Sequence, residues 1–278
     1  MPTERRIASK VPELTVYFWI IKILSTGMGE ATSDYFLHRH GKPSTVFLAT
    51  VVLIAGIALA IALGLQFSAR RYVAWTYWLA VVMVSVFGTM VADGVHVELH
   101  VPYVVSTVFF SVVLAATFAA WYASERTLSI HSITTPRREA FYWVAVMATF
   151  ALGTAAGDMT AITLGLGYLA SGFLFAALFA APALAYWRLG LNAVFAFWFA
   201  YIVTRPLGAS FADWLAVPPG RGGLGLGFGE VSVVLTLLIA GFVVFLSVTR
   251  RDVPDDGGPR AAKAPVRRTA IADPDGPA

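Results

Sequence analysis

Four aspartates recur at one relative position in this 278-residue sequence: Asp34, Asp93, Asp158 and Asp213. Each lies 15 residues after a tryptophan and five after a glycine. Carboxylates repeated in this way are suited to cations, because rings of acidic side chains select positive ions. Glu30 adds a further acid one turn before Asp34. Histidines and another acid gather nearby: His38 and His40 follow Asp34, and His96, Glu98 and His100 follow Asp93. Oxygen and imidazole donors together suit Mn²⁺, Fe²⁺ or Zn²⁺, so His38, His96, Glu98 and His100 form a candidate metal set. Their spacing matches no standard ligand motif, and loop histidines commonly just face water. A divalent ion is therefore one candidate cargo, and the sequence specifies no cofactor.

Two basic residues lie inside apolar stretches. Lys22 follows Trp19 by three residues and can snorkel back toward the interface. Arg205 lies deeper, directly before Pro206. A guanidinium stays charged at any accessible pH, so Arg205 is expected to pair with an acid from another repeat, Glu30 or Asp93. Pro206 removes a backbone hydrogen bond and is expected to kink its helix.

The elements that must position these groups are themselves repeated. The pattern aromatic–Trp, Gly, Asp reads Phe18-Trp19, Gly29, Asp34, and then Tyr77-Trp78, Gly88, Asp93. It returns as Tyr142-Trp143, Gly153, Asp158 and as Phe197-Trp198, Gly208, Asp213. Each Gly is followed four residues later by Ser33, Ala92, Gly157 or Ala212. Small residues four apart share a helix face and let membrane helices approach closely. Trp19, Trp78, Trp143 and Trp198 are expected to anchor the membrane interface, where Trp and Tyr accumulate.

With 58% hydrophobic and 13% charged residues and a mean hydropathy of +0.73, the chain reads as a membrane protein. Eight stretches are long and apolar enough for helical spans, about 14–37, 45–67, 72–95, 102–122, 140–159, 163–187, 190–214 and 230–248. They imply an all-α, polytopic protein of four tandem helix pairs, about 14–67, 72–122, 140–187 and 190–249. Two spans per repeat make every first helix run the same way, so the repeats are parallel and pseudo-symmetric about the membrane normal. At 1.5 Å per residue, Trp and Asp lie about 22 Å apart along each first helix. The aspartates then share one depth. Two readings stay open there: helix ends where Asp simply meets water, or one shared polar site.

Lys and Arg set the orientation. Arg5, Arg6, Lys10, Arg70, Arg71, Arg126, Arg137, Arg138, Arg188 and six basic residues of the tail fall on one side. Arg39, Lys42 and Arg221 fall on the other. The positive-inside rule puts residues 1–13 and the tail in the cytoplasm and the aspartates at the outer end. Residues 250–278, rich in Pro, Gly, Asp and Arg, read as a disordered tail. The net charge of +4 follows from this topology and argues for no nucleic-acid partner. With no cysteine there are no disulfides or thiolate metal sites. No HExxH, GxSxG or Ser/His/Asp pattern appears, so no enzyme is expected.

The run from Lys10 to Trp19, and then from Lys22 through Gly29 to Asp34, resembles bacterial integral membrane proteins built from four tandem copies of a repeat of unknown function. Each copy has two transmembrane segments and a signature tryptophan. The resemblance covers about residues 10–249 and implies eight spans in the inner membrane. It supplies no activity. The residues themselves favour a small-cation transporter or channel, for a divalent metal or a proton. The alternative is a non-transporting scaffold or ligand-sensing partner.

Overall fold

A computed structural model describes residues 9–37, 44–97 and 100–254, apart from the side chains of 95–97. Within them the chain forms eight long helices: α1 (Val16–Leu37), α2 (Thr45–Ser68), α3 (Ala74–Val97), α4 (Tyr103–Glu125), α5 (Pro136–Asp158), α6 (Gly167–Leu189), α7 (Ala193–Ala216) and α8 (Phe228–Thr249). Helix starts follow local chemistry. Ser44 and Thr135 cap α2 and α5 through their hydroxyls, and Asn192 caps α7 through its amide oxygen. The fifth helix begins at Pro136, earlier than its apolar run, because Thr135 and Pro136 together make a strong start signal. It also runs on past Asp158 as a π-helical turn, Met159–Thr163, which delays the start of α6 to Gly167.

Seven of the eight helices are long and apolar enough to cross a membrane by composition. The exception is α1, which carries Lys22, Glu30 and Asp34. Lys22 and Glu30 are buried in the protein, so their charges do not face lipid. The chain is an all-helical, membrane-spanning protein of four tandem repeats.

The first helices of the repeats form a closed inner ring in which α1 packs on α3, α3 on α5, α5 on α7, and α7 back on α1. The second helices lie outside. Within the span windows, 67% of α3, α5 and α7 is buried, against 11–22% of α2, α4, α6 and α8. Each outer helix packs chiefly on the first helix of the next repeat: α2 on α3, α4 on α5, α6 on α7, and α8 on α1. The helix pair that recurs in sequence is therefore not the pair that packs. Neighbouring repeats are interlocked, and the last closes on the first.

Two features correct the view from sequence. Lys10 is buried and paired with Glu139 at 2.7 Å, while Gln66 hydrogen-bonds both the Lys10 carbonyl and Glu139. Lys10 thus ties the segment before α1 to α5, since an acid buried in that helix needs a cation. Nor does structure stop at residue 249. Residues 250–254 fold back, with Asp252 buried and accepting a hydrogen bond from the Tyr72 hydroxyl. The Asp252 carbonyl also accepts from the Glu13 amide.

Candidate functional site

The glycines set the ring. A side chain on Gly29 would strike Ser85 of α3, and one on Gly88 would press on Phe150 of α5. At Gly153 it would meet Arg205 and Pro206 of α7, and at Gly208 it would meet Ile23, Thr26 and Gly27 of α1. Thr26, Ser85, Phe150 and Arg205 all stand three residues before the glycine of their own repeat. The same contact is therefore made four times around the ring, and all four glycines face protein. Pro206 rests on the Gly153–Gly157 stripe of α5, filling the space the glycines leave.

The aromatic pairs repeat this geometry at the other end. Phe18 lies 5.6 Å from Trp78, Tyr77 lies 5.7 Å from Trp143, and Tyr142 lies 6.2 Å from Trp198. Phe197 lies 5.9 Å from Trp19 and closes the circle. These separations suit attractive ring contacts. Trp78, Trp143 and Trp198 are buried and Trp19 is half-buried. The expected interfacial belt is therefore replaced by an interior ring of aromatic contacts, because the aromatic of each repeat reaches for the tryptophan of the next.

Between the two ends the axis is filled. Arg205 is fully buried, and the two N–H groups of its Nη2 are shared among three acceptors, Glu30 Oε2 at 2.5 Å, Thr89 Oγ1 at 2.5 Å and Thr154 Oγ1 at 2.8 Å. Its Nη1 donates to the Thr26 carbonyl at 3.3 Å. Glu30, Thr89 and Thr154 each directly follow the glycine of their repeat. One guanidinium from the fourth repeat thus ties together the equivalent positions of the other three. Both threonine hydroxyls donate in turn to backbone carbonyls, which leaves their lone pairs for the arginine.

Lys22 lies further toward the aromatic end and does not reach the interface. It is fully buried, with Nζ 4.2 Å from the Phe150 ring centre and 4.3 Å from that of Tyr201. No hydrogen-bond acceptor reaches Nζ among the described residues. The lysine sits on the inward face of α1, so the rings of α5 and α7 cover it before its stem can extend outward. Beyond it the Tyr77 and Tyr142 hydroxyls bond each other at 2.5 Å.

On the opposite side of Arg205 a cavity of about 150 Å³ opens, lined by Glu30, Asp34, Asp93, Asp158 and Asp213. The four repeated aspartates meet there in one place. Arg221 also lines it, so with Arg205 beneath, two fixed cations face five carboxylates. Ser33 donates to Asp93 at 2.7 Å. Oxygens of Glu30, Asp34 and Asp213 lie within 4.8 Å of one another, a grouping able to hold a metal ion. Asp213 is buried, and its Oδ1 has no hydrogen-bond partner among the described residues.

Among the described residues the grouping able to hold a metal ion is made of carboxylates. His38, His40 and Glu98 lie outside the described residues, as does the side chain of His96. His100 is exposed, takes a left-handed backbone conformation (φ 52°), and is not among the residues lining the acidic cavity. Sequence reasoning missed Thr89 and Thr154 altogether. Their signal was present, since both occupy the position of Glu30 in their own repeats.

Four tandem stretches of the chain, residues 17–72, 76–127, 141–191 and 196–252, match the family described as Repeat of Unknown Function (DUF347). No curated protein and no solved structure matches the chain.

Proposed function

The chain belongs to this family of tandem repeats, whose description assigns no chemistry, and from the geometry of the acidic cavity we propose that it carries a small cation across the membrane. The observation that bears the reading is the Glu30–Asp34–Asp213 oxygen cluster with the unpartnered Oδ1 of Asp213. Uncompensated charge within a span costs several kcal/mol. The excess of carboxylates over Arg205 and Arg221 therefore calls for protons or a bound cation. An oxygen-only donor set favours hard ions such as Mg²⁺, Ca²⁺ or Mn²⁺ over ions that prefer imidazole or thiolate.

The filled axis supports a carrier over an open channel. A cation leaving the cavity toward the aromatic end must pass Arg205, which holds all four inner helices. Glu30 belongs both to the cation cluster and to the Arg205 pair. A cation drawing on Glu30 weakens the hold on Arg205, which couples site occupancy to the contact that shuts the axis. No covalent chemistry is part of this reading.

The same closed axis favours a second reading, a non-transporting sensor that binds a cation and reports it through its ends. Purified protein in proteoliposomes separates the two. Flux of a panel of monovalent and divalent cations and of protons is compared for the parent, Asp213→Asn and the variant with all four aspartates changed to Asn. Flux lost in both variants supports the carrier. Cation binding without flux favours the sensor, and parental flux in the fourfold variant removes the acidic site from the mechanism.

A further inference from the structure

A second cavity, of about 250 Å³, lies at the aromatic end between the start of α3 and the end of α8. Its walls combine features that a purely structural pocket does not need. Arg71 and Arg250 line it, both exposed, and neither side chain hydrogen-bonds or ion-pairs among the described residues. The first turn of α3 borders it and carries no acidic residue, so the positive end of that helix dipole is unopposed by its own side chains. These features suit an anion.

Asp252 contributes the opposite charge within the same cavity. It is 1% exposed, and its Oδ2 is engaged by the Tyr72 hydroxyl, but its Oδ1 has no hydrogen-bond partner among the described residues. A buried carboxylate oxygen without a donor is costly and marks where a ligand's N–H would fit. Beside it, Trp75 lines the cavity and is 50% exposed at the end of a membrane-crossing helix. Such rings mark the headgroup level of a bilayer. The site therefore asks for an anionic group and a hydrogen-donating cation a few bonds apart, on a molecule with apolar chains.

We propose that this cavity binds the headgroup of a phospholipid bearing a primary amine, with the phosphate held by Arg71 and Arg250 and the ammonium held by Asp252. A phosphoethanolamine headgroup has both charges. A choline headgroup has no N–H for Oδ1, and a glycerol headgroup has no cation. The assignment is independent of the cation reading, because it shares no residue with the acidic cavity.

Native mass spectrometry of the full chain in detergent tests it with dihexanoyl phosphatidylethanolamine, phosphatidylglycerol and phosphatidylcholine. Free phosphoethanolamine and inorganic phosphate serve as soluble arms. Phosphatidylethanolamine is expected to bind about tenfold more tightly than either other lipid. Arg71→Gln combined with Arg250→Gln changes only exposed side chains, so folding is preserved, and it should remove that binding. Asp252→Asn should abolish the preference for the amine while retaining affinity for phosphatidylglycerol. Tyr72→Phe loses the same internal hydrogen bond but keeps the carboxylate, and should keep the preference. Equal binding of phosphatidylglycerol by the parent, or unchanged binding by the double arginine variant, overturns the proposal. Binding of inorganic phosphate as tight as that of the lipid reduces the site to a free-anion site and overturns the lipid assignment.

Discussion

Arg205 Nη2 sits 2.5 Å from Glu30 Oε2, joining the fourth repeat to the first across 175 positions of sequence. Both side chains are buried, so neither charge can fall back on water. Removing one member of such a pair strands the other and costs about 3–5 kcal/mol. Arg205→Ala should therefore lower stability by that amount in detergent denaturation. Arg205→Ala with Glu30→Gln should recover part of the loss. A double variant no more stable than the single one would show that Glu30 is compensated by other groups.

The glycine contacts predict an order of sensitivity. At Gly208 an added methyl comes within 2.7 Å of the Ile23 carbonyl and 2.9 Å of the Gly27 amide, both backbone atoms that cannot swing away. At Gly88 the nearest atoms are side-chain atoms, at 3.2 Å and 3.6 Å. Gly208→Ala should cost about 1–3 kcal/mol by overpacking, and Gly88→Ala clearly less. Gly64→Ala meets nothing within 4 Å and should change stability by no more than about 1 kcal/mol. Thermal unfolding of the three variants, compared side by side, checks the order.

Tryptophans separate ring closure from interface anchoring. Trp78→Ala empties a buried position and should cost about 3–5 kcal/mol. Trp187→Ala, at a residue 73% exposed, should stay within about 0.5 kcal/mol. Equal losses at both would mean that the lipid interface, and not the ring, explains the repeated tryptophan.

Asp252 sets a pH dependence. Its carboxyl titrates above the ordinary value of 3.8, raised first by burial, with the Tyr72 hydrogen bond opposing in part. The folded state then holds its proton at pH values where the unfolded chain has lost it. That contribution to stability is complete below the ordinary value and fades as pH rises through the raised one. Stability measured from pH 4 upward should fall more steeply in the parent than in Asp252→Asn. Identical slopes would place the carboxyl in water.

Much of the acidic site was legible in the sequence, because a fixed 15-residue spacing on parallel helices forces Asp34, Asp93, Asp158 and Asp213 to one depth. The small residue four positions after each glycine likewise announced a packed inner face. The direction of a side chain around the helix was less legible. Lys22 is near an interface by position along α1, yet it points to the axis, and α1 itself falls short of the apolar threshold met by the other seven helices because its charges are internal. Trp78 and Trp143 carry the residue type of an interfacial belt, but their rings are covered by the aromatics of the preceding repeat.

By itself the sequence determined the membrane class, the four units and the depth of every repeated residue, because hydropathy and period are properties of one chain read along its length. Only the tertiary structure decided which helices touch. Short loops permit α2 to pack on either α1 or α3, and local pattern does not distinguish them. The close approach of the inner helices at their glycines makes the ring, and the outer helices fill the grooves that remain. That ring also selects Glu30 for Arg205 and brings Asp213 beside Glu30 and Asp34. Such pairings depend on distances across the axis, which no spacing within a single helix encodes.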